Sequence, residues 1–258
     1  MPQALITGPT SGLGRGFADS LARRGFDLVL VSRDRERLTT TADELTAQYS
    51  ITCEVLPADL AERADVDRVA ERLADPTRPI SALVNNAGFG LRESFLDVSV
   101  DDEQRVLDLM VSSVMRLTHA VLPGMVERDR GMVINVSSMA GWFPGGTYSA
   151  AKAWVTTFSE SLSVGLRDSG VRVVAVCPGF VRTEFHDRAG MNMSQTPDWM
   201  WLDVPTVVDR AFRDLAAGSP VSVAGPQYPV FARMLQHGPR TLARRFAGAR
   251  YRLSRRSD

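Results

Sequence analysis

The chain has 258 residues, 44% hydrophobic and 23% charged, and its 30 basic and 30 acidic residues give no net charge. This balance argues against a nucleic-acid binder that acts through bulk charge, and the hydrophobic content argues against disorder. The length suffices for a core without a disulfide or metal. Cys53 and Cys177 lie far apart in predicted strands. We therefore expect free thiols, no metal site and a reducing, cytoplasmic location.

Short apolar segments alternate with longer amphipathic ones, which predicts βαβ units and a parallel sheet. Seven strands are predicted: Ala4–Thr7, Leu28–Ser32, Thr52–Pro57, Ala82–Asn85, Met132–Ser137, Arg172–Cys177 and Val221–Ala224. Six helices are predicted: Gly12–Arg24, Asp34–Tyr49, Arg63–Ala74, Asp101–Arg128, Thr147–Arg167 and Thr206–Ala217. Asp34 and Asp101 are the expected caps of two of them. The sequence therefore predicts an α/β fold, a doubly wound parallel β-sheet of the Rossmann-like type, with residues 1–258 as one domain.

A glycine-rich turn follows the first predicted strand and opens the first helix. The segment Thr7–Gly14 reads TGPTSGLG. Glycines here let the backbone approach a pyrophosphate, and a helix N-terminus attracts an anion. The spacing differs from the commoner G-x-G-x-x-G, and a tight turn without a ligand is the alternative. The position after strand one favours a dinucleotide site, whose candidate contacts are Gly8, Thr10, Ser11, Gly12, Leu13 and Gly14.

The residues at the end of the second strand, Ser32 and Arg33, indicate which dinucleotide binds. NAD sites usually place an acidic residue here to bind the ribose hydroxyls. A guanidinium instead suits a ribose phosphate. The sequence therefore predicts that NADP (NADPH) is preferred over NAD. The alternative, a solvated helix start, fits Arg35 and Arg37 better than Arg33.

Lys152 is the single lysine of the chain. Tyr148 lies four residues before it on the same helix face, and Ser138 ends the fifth strand ten residues before the tyrosine. An ammonium group nearby is expected to lower the pKa of Tyr148, which suits general acid–base chemistry. A carbonyl could receive a hydrogen bond from Ser138 and a proton from Tyr148. The alternative is an ordinary Tyr–Lys pair on a solvated helix.

Together with Asn85–Gly88 (NNAG) and Pro178–Gly179, these motifs resemble the short-chain dehydrogenase/reductase family over Met1 to about Phe185. The resemblance implies an oxidoreductase with Ser138, Tyr148 and Lys152 as catalytic residues. It also implies a homodimer or homotetramer built from helix faces. The cofactor contacts that it implies are Asp59 and Leu60 at the adenine, Asn86, Ala87 and Gly88 along the cofactor, Tyr148 and Lys152 at its ribose, and Pro178, Gly179, Val181 and Thr183 at the nicotinamide.

The chain departs from the family pattern in two places. Met110 stands where the family usually has an asparagine that helps to resupply protons to the lysine. Ser113, one turn further on, is a possible substitute. The Ser138–Tyr148 loop is also shorter than usual, which is expected to open the substrate side of the cleft. Gly141, Gly145 and Gly146 give this loop conformational freedom.

The resemblance also implies that residues 184–204 fold over the substrate as a lid. Its methionines and tryptophans, together with Phe89, Trp142 and Phe143, suggest a hydrophobic ketone or aldehyde and its alcohol as substrates. The alternative is that these side chains pack the lid itself or a subunit contact. His186, without a partner at metal-ligand spacing, is expected to be an ordinary lid residue.

The C-terminal segment, residues 229–258, differs from the rest of the chain because Arg233–Asp258 contains eight arginines and one acidic residue. Such a segment could contact an anionic membrane surface peripherally, or pack on the protein itself. No membrane span is predicted, because polar and helix-breaking residues interrupt the longest uncharged run, Gly131–Ala151. Two rival functions remain: a nucleotide-binding regulator with impaired catalysis, favoured by Met110, and an interaction protein that uses this basic segment.

Overall fold

The computed structural model describes residues 1–89, 95–185, 193, 196–225 and 227–228. The strands are β1 Gln3–Thr7, β2 Asp27–Ser32, β3 Cys53–Pro57, β4 Ile80–Asn85, β5 Gly131–Val136, β6 Val171–Val176, β7 Phe180–Val181, β8 Trp201–Leu202 and β9 Val221–Ser222. The helices are α1 Gly12–Arg23, α2 Arg35–Tyr49, α3 Arg63–Ala74, α4 Val100–Leu107, α5 Ser113–Glu127, α6 Gly146–Gly165 and α7 Val204–Ala216.

Seven of the strands form one parallel sheet in the order β3-β2-β1-β4-β5-β6-β9, with helices around it. The predicted fold class is confirmed, and each predicted strand is a strand of this sheet. The short β7 and β8 pair separately and were not predicted.

The alternation of side chains along each strand divides the core into two layers. In β1, Ile6 packs in the layer that includes α1, α2 and α7, whereas Leu5 packs in the layer that includes α3 and α5. Leu30 and Val29 of β2 divide in the same way. The central strands are therefore apolar on both faces, as a sheet covered on both sides requires.

The helix predicted over Asp101–Arg128 is interrupted by one π-helical turn, Asp108–Ser112, between α4 and α5. Its cap is Ser99, whose Oγ accepts a hydrogen bond from the Asp102 amide at 3.1 Å. The expectation that Asp101 caps this helix is therefore wrong, because Asp101 already lies in the first turn. The Asp34 cap of α2 is confirmed by its hydrogen bond from the Arg37 amide.

Within the described part of the chain, the stretch Val100–Glu127 is long and apolar enough to cross a membrane by length and composition alone. The core helix of a soluble protein passes the same test. Here α5 packs against α3 and against strands β4 and β5.

Two buried asparagines join the two central strands β4 and β5. Asn85 donates from Nδ2 to Asn135 Oδ1 at 2.8 Å and to Thr118 Oγ1 at 3.1 Å. Asn135 donates in turn to Ser159 Oγ at 2.9 Å. Thr118 lies on α5 and Ser159 on α6, so this network links the sheet to two helices that pack on the same face of it.

Candidate active site

The predicted site residues lie where a doubly wound sheet binds ligands, at the carboxyl ends of its parallel strands. The segments that follow the successive strands β1 to β6 begin with Gly8, Arg33, Ala58, Asn86, Ser137 and Cys177. The glycine turn, the Arg33 region, the NNAG segment, Ser138 and the Pro178 loop therefore lie along one edge of the sheet.

The glycine turn has the backbone that a close approach to a phosphate requires. Gly8 and Gly12 have φ angles of +66° and +55°, which L-residues with side chains rarely adopt. A Cβ on Gly14 would overlap the Gly8 carbonyl oxygen. The α1 N-terminus can therefore lie directly against the turn, with its amides and positive dipole end available to an anion. Thr10, Ser11 and Leu13 complete this segment.

The NNAG segment holds the glycine turn in place. Asn86 donates from Nδ2 to the Thr7 and Gly8 carbonyl oxygens, both at 3.0 Å. Thr7 Oγ1 accepts the amides of Asn86 at 2.9 Å and Ala87 at 3.0 Å. These four hydrogen bonds tie the ends of β1 and β4 together, so Asn86 and Ala87 shape the turn. The structure thus brings these predicted cofactor residues together.

The ends of β2 and β3 combine an unsatisfied hydroxyl with a cluster of charges. Ser32 Oγ is buried and has no hydrogen-bond partner in the described structure. The Arg33 side chain is 68% exposed, and its guanidinium lies 3.9 Å from the Asp59 carboxylate. Arg105 of α4 contacts the same carboxylate at 2.9 Å, and Leu60 beside it is buried. Burial of an unpartnered hydroxyl is unfavourable, so Ser32 fits a ligand at this position.

The catalytic candidates meet at the N-terminal end of α6. Tyr148 and Lys152 lie on this helix, and Ser138 follows β5. Ser138 Oγ accepts the Ala140 amide at 3.1 Å, which caps a 3₁₀ turn over Met139–Trp142. The Ser138 side chain is also near enough to Tyr148 to lower the pKa of its phenol. The three predicted residues are therefore brought into one cluster.

Burial raises the pKa of Tyr148 to about 12, and the nearby Ser138 side chain offsets only part of this increase. The expected lowering of this pKa by Lys152 is wrong. The lysine Nζ lies 5.7 Å from the centroid of the tyrosine ring. Burial also lowers the pKa of Lys152 to about 8, which disfavours its ammonium form.

Lys152 is only 5% exposed, and its Nζ donates to the Val136 carbonyl oxygen at 2.8 Å. Met110, 1% exposed, belongs to the π-helical turn and adjoins Gly88. A Cβ built on Gly88 would lie 3.4 Å from the Met110 sulfur and 3.8 Å from the lysine Nζ. The thioether therefore adjoins the catalytic cluster. The Ser113 hydroxyl donates its hydrogen to the Leu109 carbonyl oxygen at 2.6 Å, so this hydrogen is already used in a hydrogen bond within the helix.

The segment Pro178–Thr183 connects the glycine turn with the Ser138 region. The Pro178 carbonyl accepts the Met139 amide at 3.1 Å. A Cβ on Gly12 would lie 3.1 Å from Thr183 Cγ2, so the threonine packs against the start of α1. Between them, Val181 is buried in β7. The four predicted nicotinamide residues thus follow one path from the catalytic cluster to the glycine turn.

The short loop between Ser138 and Tyr148 depends on two of its three glycines. A Cβ on Gly141 would lie 2.7 Å from the Ala153 nitrogen, so the loop approaches α6 closely. Gly146 begins α6 with a φ of +74°. Trp142 and Phe143 are partly buried in this loop.

In the described part of the predicted lid, some apolar side chains are packed and one is exposed. Phe185 lies 5.9 Å from Tyr148, centroid to centroid. Trp201 lies 5.9 Å from Phe180, and Leu202 is buried, so these two pack the end of the lid. Trp199 is 66% exposed. His186, Met191 and the basic segment 229–258 lie outside the described residues.

Two residues of the site region were not predicted from the sequence. Arg105 reaches Asp59 from 46 positions away, and Tyr228 hydrogen-bonds the Phe180 amide from 48 positions away. No local motif marks either of them. Arg105 was one of many arginines, and Tyr228 stands next to the segment assigned to the basic C-terminus.

A family model described as short chain dehydrogenase matches residues 2–193. A very-long-chain 3-oxoacyl-CoA reductase of Anas platyrhynchos is 39% identical over 189 residues, which are 70% of this chain and 60% of that protein. The chain thus matches less than two thirds of that relative.

Two solved structures extend the likeness over the whole chain. A short-chain dehydrogenase from Sphingobium yanoikuyae in complex with NADPH is 34% identical with a TM-score of 0.83, covering 100% of this chain and 97% of that one. A bulky-bulky ketone specific alcohol dehydrogenase from Comamonas testosteroni is 29% identical with a TM-score of 0.77, covering 100% and 95%. The chain therefore belongs to the short-chain dehydrogenase/reductase family, a family of oxidoreductases that bind a nicotinamide dinucleotide.

Proposed function

We propose that this chain is an NADPH-dependent reductase that interconverts an apolar ketone or aldehyde with its alcohol. The observation that carries the proposal is the convergence of Ser138, Tyr148 and Lys152 beside the glycine turn. Ser138, Tyr148 and Lys152 are its catalytic residues in this proposal. NADPH, when bound, supplies the hydride.

The two hydroxyl groups have complementary tasks. Ser138 Oγ already accepts a backbone amide, so its proton is directed elsewhere and can be donated to a carbonyl oxygen. Tyr148, whose raised pKa keeps it protonated at neutral pH, donates its proton to the same oxygen as the alcohol forms. Both donors stabilise the negative charge that develops on this oxygen. In the reverse direction, the tyrosinate takes the proton back.

Lys152 keeps the tyrosine supplied with protons and orients the cofactor ribose in this proposal. Its pKa of about 8 leaves it mostly protonated at neutral pH and able to exchange its proton above that. Met110 offers only a weakly accepting sulfur beside it. The rate of proton resupply is therefore expected to be lower than with an amide at that position.

Preference for NADPH over NADH is supported by the adenosine end of the site. Ser32 Oγ is unsatisfied, and Arg33 is exposed, charged and within reach of a ribose phosphate. Arg105 pairs with Asp59, which offsets the charge of the one carboxylate identified beside Arg33. The Sphingobium structure was solved as an NADPH complex, which is consistent with this preference.

An apolar substrate is supported by the side chains near Tyr148. Phe185 lies beside the Tyr148 ring, and Trp142 and Phe143 of the loop before Tyr148 are also partly buried. The names of the duck and Comamonas relatives refer to a long acyl thioester and to bulky ketones. Both are carbonyl compounds with large apolar parts, and we infer a similar substrate class here.

The experiment that tests the proposal is a fluorescence titration with NADPH and with NADH, followed by a panel of apolar ketones in the same cuvette. We expect selective NADPH binding and oxidation on addition of ketone. Tyr148→Phe should keep NADPH binding and lose activity by about a thousandfold, within the usual range for general acid catalysis. NADPH binding without turnover on any ketone would favour a regulator instead, and absence of nucleotide binding would contradict the proposal.

Three broader features also belong to this proposal. The free thiols of Cys53 and Cys177 support a cytoplasmic location. Apolar side chains exposed on α5 and α6, among them Met115 and Val164, support a homo-oligomer. Residues 1–258 are proposed to form one domain.

A further inference from the structure

Tyr228, from the segment after β9, occupies a position beneath the predicted nicotinamide-binding loop. It is only 3% exposed and lies beyond the residues that the family model matches. A Cβ on Gly179 would overlap the Tyr228 ring. The glycine at position 179 therefore makes room for this ring, and the ring supports the loop from below.

The hydroxyl of Tyr228 joins two backbone segments. It accepts the Phe180 amide at 3.1 Å and donates to the Met200 carbonyl oxygen in a short hydrogen bond. Phe180 begins β7, and Met200 immediately precedes β8. Without this hydroxyl, the Phe180 amide and the Met200 carbonyl oxygen, which are partly buried, would lose their shared hydrogen-bond partner. Leaving such backbone groups unpaired is unfavourable.

Other contacts also join these segments: β7 pairs directly with β8, and Val181 and Leu202 of this pair are buried. The side-chain contacts between them include an exposed ion pair. Arg182 pairs with Asp198 at 2.9 Å, with side chains 60% and 94% exposed. Gln227, next to Tyr228 in the segment after β9, donates to the Trp199 carbonyl at 3.1 Å. Ion pairs at such exposure contribute little to stability. Tyr228 adds to the strand pairing a buried side chain that hydrogen-bonds both segments.

The loop that Tyr228 supports connects directly to the reacting centre of the proposed function, on which this inference rests. Val181 follows Phe180, and Pro178 precedes Gly179. The Pro178 carbonyl accepts the Met139 amide, next to Ser138. A shift of Gly179–Phe180 would therefore move the nicotinamide site relative to the Ser138 hydroxyl. A misplacement of about 1 Å at such a site can slow a reaction a hundredfold.

We propose that Tyr228 is a positioning residue that fixes the Pro178–Thr183 backbone relative to Ser138 and joins it to the end of the substrate lid. It touches neither substrate nor cofactor in this role. The phenol of Tyr228 thereby couples the orientation of the nicotinamide to the position of the end of the lid.

The test uses the full chain with Tyr228→Phe, which keeps the ring against Gly179 and removes both hydrogen bonds. Hydrogen–deuterium exchange should become faster in the peptide covering residues 178–185, with and without NADPH. Single-turnover hydride transfer, measured with NADPH deuterated at C4, should slow by about tenfold, which corresponds to about 1.4 kcal/mol. The NADPH dissociation constant should change less than threefold.

Two control variants separate positioning from stability. Tyr49→Phe removes a similar hydroxyl, which hydrogen-bonds Asp19 at 3.3 Å, and should leave hydride transfer unchanged. Val69→Ala removes buried volume under α3 and should lower the melting temperature without slowing hydride transfer. An equal slowing in Val69→Ala at a matched loss of stability would overturn the proposal.

Unchanged exchange of residues 178–185 in Tyr228→Phe would also overturn it, whether or not a substrate has been found. Failure of the wild-type protein to oxidise NADPH with any ketone, with faster exchange in the variant, would instead contradict the proposed function alone. If Tyr228→Phe does not fold, 3-fluorotyrosine at position 228 keeps the shape and makes the phenol a weaker acceptor. It should still accelerate exchange of the 178–185 peptide, and unchanged exchange would overturn the proposal.

Discussion

The two ends of the predicted cofactor site contrast in exposure and charge. At the nicotinamide end, Lys152 is 5% exposed and hydrogen-bonds a backbone carbonyl, and Tyr148 has a raised pKa. At the adenosine end, Arg33 is 68% exposed and lies in a cluster with Asp59 and Arg105. The nicotinamide end is buried and has one ionisable cation, whereas the adenosine end is exposed to solvent and has several charged side chains.

Because of this contrast, the two ends should respond to different solution conditions. Desolvation sets proton affinities at the buried end, so pH should change its behaviour. Exposed charges are screened over about 10 Å at 0.1 M salt, so ionic strength should change the behaviour of the adenosine end. Substitutions at each end test whether burial or exposed charge controls its behaviour.

The largest effect is expected from Lys152→Met, which removes the buried cation but keeps an unbranched side chain. Activity should fall by about a thousandfold, as for loss of an acid–base group. Stability should increase, because a pKa lowered from 10.5 to about 8 means that folding opposes the charge. That shift is worth about 3 kcal/mol, and the lost hydrogen bond to Val136 offsets about 1 kcal/mol of it.

The pH dependence of that gain has a definite sign. Below pH 8 the lysine is charged in both folded and unfolded protein, and the wild type bears the full cost. Between about pH 8 and 10.5 the folded protein has lost the proton that the unfolded chain still binds, so wild-type stability rises. Denaturant unfolding at pH 7 and pH 10 should show the advantage of the variant shrinking. A constant advantage would contradict the buried charge.

A smaller effect is expected from Arg33→Gln at the exposed end. The NADPH dissociation constant should rise about thirtyfold at low salt, since a hydrogen bond to a charged group is worth about 2 kcal/mol. NADH binding should not change, and the difference should shrink in 0.5 M salt. The matched control is Arg35→Gln, an exposed arginine in the first turn of α2. An equal loss in both variants would show that general positive charge, rather than Arg33, binds the phosphate.

The smallest effect is expected from Arg105→Gln. Asp59 would lose its 2.9 Å partner and attract Arg33, which now lies 3.9 Å away. The NADPH dissociation constant should rise about threefold, in the range of an exposed ion pair. Arg116→Gln, which removes a 3.3 Å ion pair with Asp67, is the control and should leave it unchanged. Identical NADPH titrations of wild type and Arg105→Gln would show that Asp59 does not compete for Arg33.

The sheet was predictable from the sequence because each strand is a short apolar run between helical patterns. The order of Gly8, Asn86, Ser138 and Pro178 along one edge follows from the rule that parallel strands end together. Local sequence motifs were therefore enough to predict the position of these residues. The π-helical turn was missed because its sequence, DLMVS, keeps the pattern of an ordinary helix.

The features that could not be predicted depend on contacts between distant segments. Spacing placed Tyr148 and Lys152 on one face, but the pKa of the tyrosine depends on burial, which spacing does not reveal. Arg105 and Tyr228 act on residues more than 40 positions away. Their roles follow from how α4 and the segment after β9 pack, which no local pattern encodes.

The paired amides of Asn85 and Asn135 bear on how the chain selects one strand alignment. The neighbouring side chains of β4 and β5 are aliphatic, so a slip of two residues would keep the same faces buried and cost little in apolar contact. The two asparagines face each other only in the native alignment. Any slipped pairing would break the buried hydrogen bond between the two amides, at a cost of about 1–3 kcal/mol. Replacing both asparagines with leucine would therefore remove this energetic penalty for misaligned strands, and alternative alignments of β4 and β5 would become accessible during folding.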